Sequence, residues 1–359
     1  MTARLILIGA GHAHMEALRQ ADRFQAAGLA VTLIDPGVFW YSGAATGMLS
    51  GALSMDHARA DPAAVHAGVE IIKARAEHID AKARTITLDD GRRLSFDVAS
   101  LNTGSRIAPS ALTETGAIPV KPVSNLADVR RTVEQADGRL RLAVAGGGAT
   151  GVEVALSLAS LQRRLSAPVQ VMLAAPAPLL SGWPDRASRL AESALAEAGI
   201  GWRRARAERI EAGDLVLADG GREAVDQVIA ATGLVAQLPR GLDQGPDGLA
   251  VGPDLSWLGD PGIFAAGDCA HITHAPRPKL GVFGVRAAPV LIDNLIAAGA
   301  GRTDRRRYDP QARWLSLMDL GDGSALGRYG VLAHRSRFAL ALKRWIDGRF
   351  VQRYQGVHD

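Results

Sequence analysis

Twice in this chain an apolar strand runs directly into a cluster of glycines, a pattern that few folds accommodate. In the first copy residues 5–8 lead to Gly9-Ala10-Gly11. In the second, residues 140–145 lead to Gly146-Gly147-Gly148-Ala149-Thr150-Gly151, a complete G-x-G-x-x-G. Apolar periodicity over 15–27, and from the second loop to Leu165, predicts a helix behind each. Strand, tight turn and helix N-terminus then aim at one point. There glycines let the backbone approach closely, while unpaired N–H groups and the helix dipole attract an anion such as a pyrophosphate.

The repetition extends beyond the loops. Each half continues with a second strand (30–34 and 169–173) and a strand pair closed by an Asp-Gly turn, Asp90-Gly91 or Asp219-Gly220. Each then ends in a strand whose aspartate precedes a Thr-Gly by the same step, Asp97 to Thr103-Gly104 and Asp226 to Thr232-Gly233. A duplication of this length is far harder to obtain by accident than a single motif, so two dinucleotide-binding units are expected. Within the first, residues 36–51 with Tyr41-Ser42-Gly43 read as a glycine-rich loop over a ligand, or as a plain surface turn. Residues 94–101 read as one strand, 118–122 as a crossover, and 124–136 as a helix capped by Ser124. Farther on, a strand over 262–266 meets Gly267-Asp268-Cys269, and a helix is expected over 282–298. The last element, 335–354, is basic and amphipathic. It places Phe338, Leu342, Trp345, Ile346 and Phe350 on roughly one side, with Arg335, Lys343, Arg344 and Arg349 around them.

Composition narrows the function. Of the 359 residues 47% are hydrophobic and 22% charged, as in an ordinary globular protein, and the net charge of +4 comes without a basic patch interleaved with stacking residues. No nucleic-acid partner is expected. Cys269 is the only cysteine, which excludes an intrachain disulfide and a CxxC redox pair and suits a reducing cytoplasm. No cleavable leader is read at the N-terminus, and no apolar run of the about 18–20 residues needed to cross a bilayer. The expectation is a cytoplasmic protein, or one peripheral on the inner face of the membrane. No metal is expected either at His12/His14, which offer two ligands on one loop, or at Cys269, His271 and His274.

The paired glycine loops, the paired Thr-Gly strand ends, the late Gly-Asp and the helix after it resemble the two-dinucleotide-binding-domain flavoproteins, the pyridine nucleotide-disulfide oxidoreductase superfamily. The resemblance extends to about residue 300. The single cysteine separates the chain from disulfide reductases and speaks against sulfide:quinone reductases, leaving a branch similar to type II NADH dehydrogenases. GHAH at 11–14, YSG at 41–43, RPK at 277–279 and Trp345-Ile346-Asp347 further resemble the flavoprotein module associated with selenophosphate synthetase. The implied fold is α/β, with two nested Rossmann-like domains, β-meander insertions and a short C-terminal α+β region. Residues 1–112 and 245–305 would form a discontinuous FAD domain, 113–244 an NAD(P)H domain, and 306–359 the C-terminal region.

The same resemblance distributes the cofactor contacts. FAD falls to Gly9 and Gly11 with His12, Ala13 and His14, to Asp35 and Pro36 at the adenosine ribose, and to the backbone near Ala76 at the adenine. Tyr41, Ser42, Gly43, Thr103 and Gly104 join this set, and Gly267 with Asp268 would hold a ribityl hydroxyl. The helix from Gly281 and Val282 would point at the flavin pyrimidine edge, and Lys279 would add positive charge there or be a solvated loop lysine. His14 stands where the fingerprint has its third glycine, which implies a looser loop or a displaced helix. NAD(P)H falls to Gly146, Gly148, Thr150, Gly151, Thr232 and Gly233, with Glu153 near the nicotinamide or merely complementing the helix dipole. Aligned by strands, Asp35 corresponds to Ala174, so neither an acid for a 2′-hydroxyl nor an adjacent arginine for a 2′-phosphate is available.

The implied activity is an FAD-dependent oxidoreductase carrying electrons from NAD(P)H to a quinone-like or other small acceptor, with Glu153 and Lys279 as catalytic residues. The alternatives are a flavoprotein of selenium or sulfur metabolism acting on a small chalcogen compound, and a non-catalytic FAD-binding partner protein. The C-terminal amphipathic helix would touch a membrane, pack on its own FAD unit, or join a homodimer.

Overall fold

The computed structural model describes residues 2–245 and 247–355. Strand β1 (Ala3–Ile8) is buried on both faces from Leu5 onward, as a near-continuous apolar run requires in the middle of a parallel sheet. Helix α1 (His12–Arg19) begins as soon as the glycines end and breaks at Gln20, where a separate helix, Ala21–Ala26, takes over. The single helix expected over 15–27 is thus two. Parallel to β1 lie β2 (Leu29–Ile34), then β3 (Glu70–Ile72) beyond it, and β4 (Val98–Leu101) on the other side. The strand expected over 94–101 is split. Arg93–Ser95 belongs to a small meander, the chain turns at buried Phe96, and Asp97 accepts the Arg4 N–H at 2.7 Å. Asp226 does the same for the Arg141 N–H, also at 2.7 Å, which explains the repeated aspartate.

Residues 36–51 are more regular than their glycine content suggests. They contain the strand Phe39–Trp40, a 3-10 turn at Ser42–Ala44 and helix α2 (Ala45–Leu49), whose Ala45, Met48 and Leu49 are buried. Apolar burial overrides glycine propensity here. The crossover over 118–122 contains a short strand, Ile118–Pro119, and the next helix starts at Ser124 without a side-chain cap from that serine. The second unit is built on β5 (Leu140–Ala145), β6 (Val169–Ala174), β7 (Gly201–Arg203) and β8 (Gln227–Ala230), with α3 (Ala149–Leu165) behind its loop. These strands and Ile118–Pro119 form a parallel five-stranded sheet. Strand β9 (Asp260–Ala265) returns to pair with β4, and three short strands from residues 249–272 complete an eight-stranded sheet with the first unit. Each unit carries a three-stranded meander, at Ala76–Ser95 in the first and Ala207–Ala224 in the second. The expected class, two Rossmann-like units with meander insertions and a C-terminal α+β region, is present.

Helix α4 (Gly281–Gly299) is long and apolar enough, by length and composition, to cross a membrane, contrary to the expectation that no segment would be. It packs on α1, β1 and β4, with Leu291, Ile292 and Leu295 fully buried. The C-terminal region is a three-stranded antiparallel sheet over residues 315–336 followed by α5 (Arg337–Gln352). The inward face of α5 carries Ala339, Leu340, Lys343, Asp347, Phe350 and Val351, whereas Phe338, Trp345 and Ile346 face out. Phe350 therefore does not share the exposed side, and Lys343 is inside rather than around the rim.

Candidate functional site

The first glycine loop is held by residues that the fingerprint does not contain. Gly9 has φ +85°, and a Cβ there would come within 2.8 Å of Thr103 Cα. The N–H groups of Ala13 and His14 donate to Asn102 Oδ1 at 2.9 and 3.3 Å, while Asn102 Nδ2 donates to the Ala266 carbonyl at 2.6 Å. Asn102 thus joins α1, β4 and the end of β9, although it belongs to none of the sequence motifs. The N–H groups of Ala13 and His14, two residues expected at the cofactor, are engaged by this side chain. Those of Gly11 and His12, at the helix start, meet no acceptor among the described residues.

His14 does not loosen the loop. Its ring is fully buried, Nδ1–H donates to Gly9 O at 2.7 Å, and Ser100 Oγ–H donates to Nε2 at 2.8 Å. The carbonyl can only accept, so this tautomer follows from the partners. Burial pushes the pKa of His14 down to about 4 despite the bond to Gly9. In the second loop, Gly151 occupies the corresponding position, and a Cβ there would stand 1.9 Å from the Gly146 carbonyl oxygen. One loop is closed by helix–strand contact that only glycine permits, the other by an imidazole bridge to the same carbonyl.

Sheet register corrects the alignment of the units. Gly9 N–H donates to Ile34 O and Gly146 N–H to Ala174 O, while Asp35 N–H donates to Ile72 O and Ala175 N–H to Arg203 O. Asp35 therefore corresponds to Ala175, one residue later than the sequence suggested. The Asp35 carboxylate accepts Ala10 N–H at 2.7 Å and Gly37 N–H at 2.9 Å. Burial raises its pKa, with these two bonds and Arg75 opposing. Pro36 follows this acid, and Ala76 opens the meander beyond β3.

A cavity of about 900 Å³ lies where the units face each other, within the range of ligand pockets. Gly146, Gly148, Thr150, Glu153, Thr232 and Gly233 line one side; Gly267, Asp268, Lys279 and Leu280 line another, with Ser42 and Thr46 between. The remaining expected contacts, from Gly9 to His14, Asp35, Pro36, Tyr41, Gly43, Ala76, Thr103, Gly104, Gly151, Gly281 and Val282, stand outside this lining. Gly281 is nevertheless beside His12, since a Cβ there would be 3.1 Å from His12 Nε2, so the N-termini of α1 and α4 adjoin. His12 sits among the rings of Phe39, Tyr41 and Phe350, with centroids 5.4–5.6 Å away. Desolvation there holds its pKa near 4, with Asp268 opposing and Lys121 assisting.

On the cavity floor Asp268 Oδ2 accepts Lys121 Nζ at 2.8 Å and Ser105 Oγ–H at 2.6 Å. Burial would raise the Asp268 carboxyl, but Lys121 and Ser105 outweigh it and the pKa is lowered. The cation at this carboxylate is Lys121, and no sequence signal marked it. Lys279 Nζ instead donates to the carbonyls of Asp247 and Asp268 at 2.6 and 2.7 Å.

Glu153 lies deeper. It accepts Thr46 Oγ1–H and Asp319 N–H, each at 2.9 Å, and stands 4.0 Å from Lys343 Nζ. Burial raises its pKa against these partners. Lys343 also donates to Asp347 Oδ2 at 2.9 Å and Gly43 O at 2.6 Å, while Tyr41 donates to Asp347 Oδ1 at 3.0 Å and stacks on Phe350. Burial disfavours the Lys343 ammonium, yet Glu153 and Asp347 outweigh it and its pKa rises. Tyr41 and Gly43, expected at the cofactor, thus also anchor α5. Cys269 is fully buried against the carbonyls of Leu101 and Ala266. His271 and His274 face different carboxylates, and among the described residues no three metal-binding side chains converge.

The profile of the pyridine nucleotide-disulphide oxidoreductases matches residues 3–288. The ferredoxin–NAD(+) reductase component of the p-cumate 2,3-dioxygenase system of Pseudomonas putida is 32% identical over 224 residues, 60% of this chain and 52% of that protein. This chain thus matches about half the length of that relative. A probable ferredoxin reductase of Castellaniella defragrans is 29% identical over 87% of this chain and 78% of its own. The sulfide:quinone oxidoreductase of Aquifex aeolicus superposes with a TM-score of 0.79 at 17% identity, covering 98% of this chain and 91% of that one. With duplicated glycine loops, a cavity between the second of them and Asp268, and a family match over most of its length, the chain belongs to the pyridine nucleotide-disulphide oxidoreductases, flavoproteins that use FAD and a nicotinamide nucleotide.

Proposed function

We propose that the chain oxidises a reduced nicotinamide nucleotide through FAD and passes the electrons to a small quinone-like acceptor, in the manner of type II NADH dehydrogenases. The observation that carries this reading is the cavity of about 900 Å³ between the second glycine loop and Asp268, with the sole cysteine buried away from it. FAD fits the first unit. The unpaired N–H groups at the start of α1 suit a pyrophosphate, Asp35 keeps free lone pairs for a ribose, and Asp268 is held ionised for a ribityl hydroxyl. When bound, FAD supplies the two-electron chemistry that links nucleotide and acceptor. The protein's own part is position and charge. Asn102 and His14 fix the loop, Lys121 fixes Asp268, and the α4 N-terminus offers positive potential beside it. Glu153 and Thr46 close the cavity toward α5.

The acceptor is the finer part of the reading. Ferredoxin reductases by name are among the relatives, so a small iron–sulfur protein is the competing partner, and a chalcogen compound is a third. We further place the protein in the cytoplasm, with the outward Phe338, Trp345 and Ile346 and the neighbouring Arg344 and Arg349 as a peripheral membrane contact. Steady-state NADH oxidation with a soluble quinone, with ferredoxin and with persulfide tests the acceptor. Turnover with ferredoxin alone would overturn the quinone assignment. Vesicle flotation of the chain and of a Trp345→Ser variant tests the membrane contact, and equal recovery would reject it.

A further inference from the structure

We infer that the second unit carries a 2′-phosphate subsite formed by Arg204 and Arg206, so that NADPH is bound in preference to NADH. This rests on the nicotinamide-nucleotide reading of that unit. The register of the two sheets carries it. In the first unit Ile34 pairs with Ile72, and in the second Ala174 pairs with Arg203, so Lys73 corresponds to Arg204. The meanders extend the correspondence: Asp89 N–H donates to Arg75 O at 2.9 Å and Ala218 N–H to Arg206 O at 2.8 Å. Arg75 therefore corresponds to Arg206. Since Arg75 is close enough to lower the Asp35 pKa, Arg206 is expected at the same place beside Ala175.

A second contact brings Arg204 to the same corner. Trp202 Nε1–H donates to the Ala175 carbonyl at 2.9 Å, and the Arg204 guanidinium lies 4.6 Å over the Trp202 ring. The corner thus has a methyl group where the first unit has a carboxylate, with the Arg204 guanidinium over the indole bonded to it and Arg206 at the backbone position that corresponds to Arg75. An acid there would accept a 2′-hydroxyl and repel a phosphate; a methyl group does neither. Paired N–H donors of a guanidinium match phosphate oxygens, and stacking on an indole orients the plane. Of the acids here, Glu223 is engaged by Arg203, whereas Glu208 holds Arg206 at 3.1 Å and has to yield it to the phosphate. Arg206 is 72% exposed and free to exchange an exposed carboxylate for a phosphate dianion.

The test titrates the FAD-loaded full chain with 2′,5′-ADP and with 5′-ADP by calorimetry, then adds NADPH or NADH anaerobically. The expected result is tighter binding of 2′,5′-ADP by about tenfold or more, since charge-assisted bonds to a phosphate are worth that much each. The preference should disappear in the Arg204→Ala/Arg206→Ala double variant and invert toward 5′-ADP in Ala175→Asp. Equal binding of the two probes, or a preference that survives the double variant, overturns the subsite. The two readings fail separately. Preferential 2′,5′-ADP binding without bleaching by either nucleotide would retain the subsite and refute the oxidoreductase reading. Bleaching by NADH without that preference would do the reverse.

Discussion

Replacing His14 by glycine would restore the third glycine of the fingerprint, yet the surrounding contacts imply a loss of stability. The ring is fully buried and bonded to Gly9 O and Ser100 Oγ at 2.7 and 2.8 Å. Removing it strands two buried polar groups, at about 1–3 kcal/mol each, leaves an imidazole-sized gap, and adds about 1 kcal/mol for glycine inside a helix. A loss of at least about 3 kcal/mol is expected, at the upper end of single substitutions. The pH dependence gives an independent readout. His14 has a pKa of about 4 when folded against 6.5 ordinarily, so between these values the unfolded chain binds more protons. Its contribution, about 3 kcal/mol by the linkage relation, is present above pH 6.5 and lost as pH falls toward 4. His12 titrates in the same window, so the variant should keep a shallower slope rather than none. Urea unfolding of the FAD-loaded chain, followed by flavin fluorescence between pH 7.5 and 4.5, measures both quantities. A His14→Gly variant as stable as the parent, with the same acid slope, would refute the bridging role.

Four further outcomes follow from the same contacts. Gly151→Ala places a methyl group 1.9 Å from the Gly146 carbonyl oxygen, so nucleotide binding should fail while FAD is retained; intact binding of 2′,5′-ADP or NADH would contradict it. Asn102→Ala frees the Ala13 and His14 N–H groups and the Ala266 carbonyl, and should lower the flavin content of the purified chain. Lys121→Met removes the cation that lowers the Asp268 pKa, so FAD retention should become weaker as pH falls through the carboxylate range, whereas the parent holds it. Lys343→Met leaves Asp347 and Glu153 buried without their cation and should cost about 3–5 kcal/mol, with α5 becoming accessible to limited proteolysis.

Much of this site is legible in the chain because its backbone chemistry demands particular residues. Only glycine fits at Gly9 and Gly151, and the repeated Asp97 and Asp226 mark the strand ends they clamp. What escaped reading is side-chain chemistry between distant segments. Asn102 and Lys121 are ordinary polar residues until the fold brings them to α1 and Asp268. Ala174-Ala175-Pro176 carries no mark of where β6 ends, so the residue corresponding to Asp35 was displaced by one until hydrogen-bond register located it. The same limit applies to α5. Its apolar residues suggested one outward stripe, but the Lys343–Asp347 pair is drawn inward by Glu153, Tyr41 and Gly43, and Phe350 goes with it.

On the proposed function, electrons from a nicotinamide nucleotide at the second glycine loop reach FAD across the cavity between that loop and Asp268. Anaerobic titration of the FAD-loaded chain with NADPH and NADH, followed in the flavin absorption band, tests it directly. Stoichiometric bleaching by at least one nucleotide, reversed by a quinone, is the predicted result. A flavin that stays oxidised with both nucleotides at saturation would contradict it.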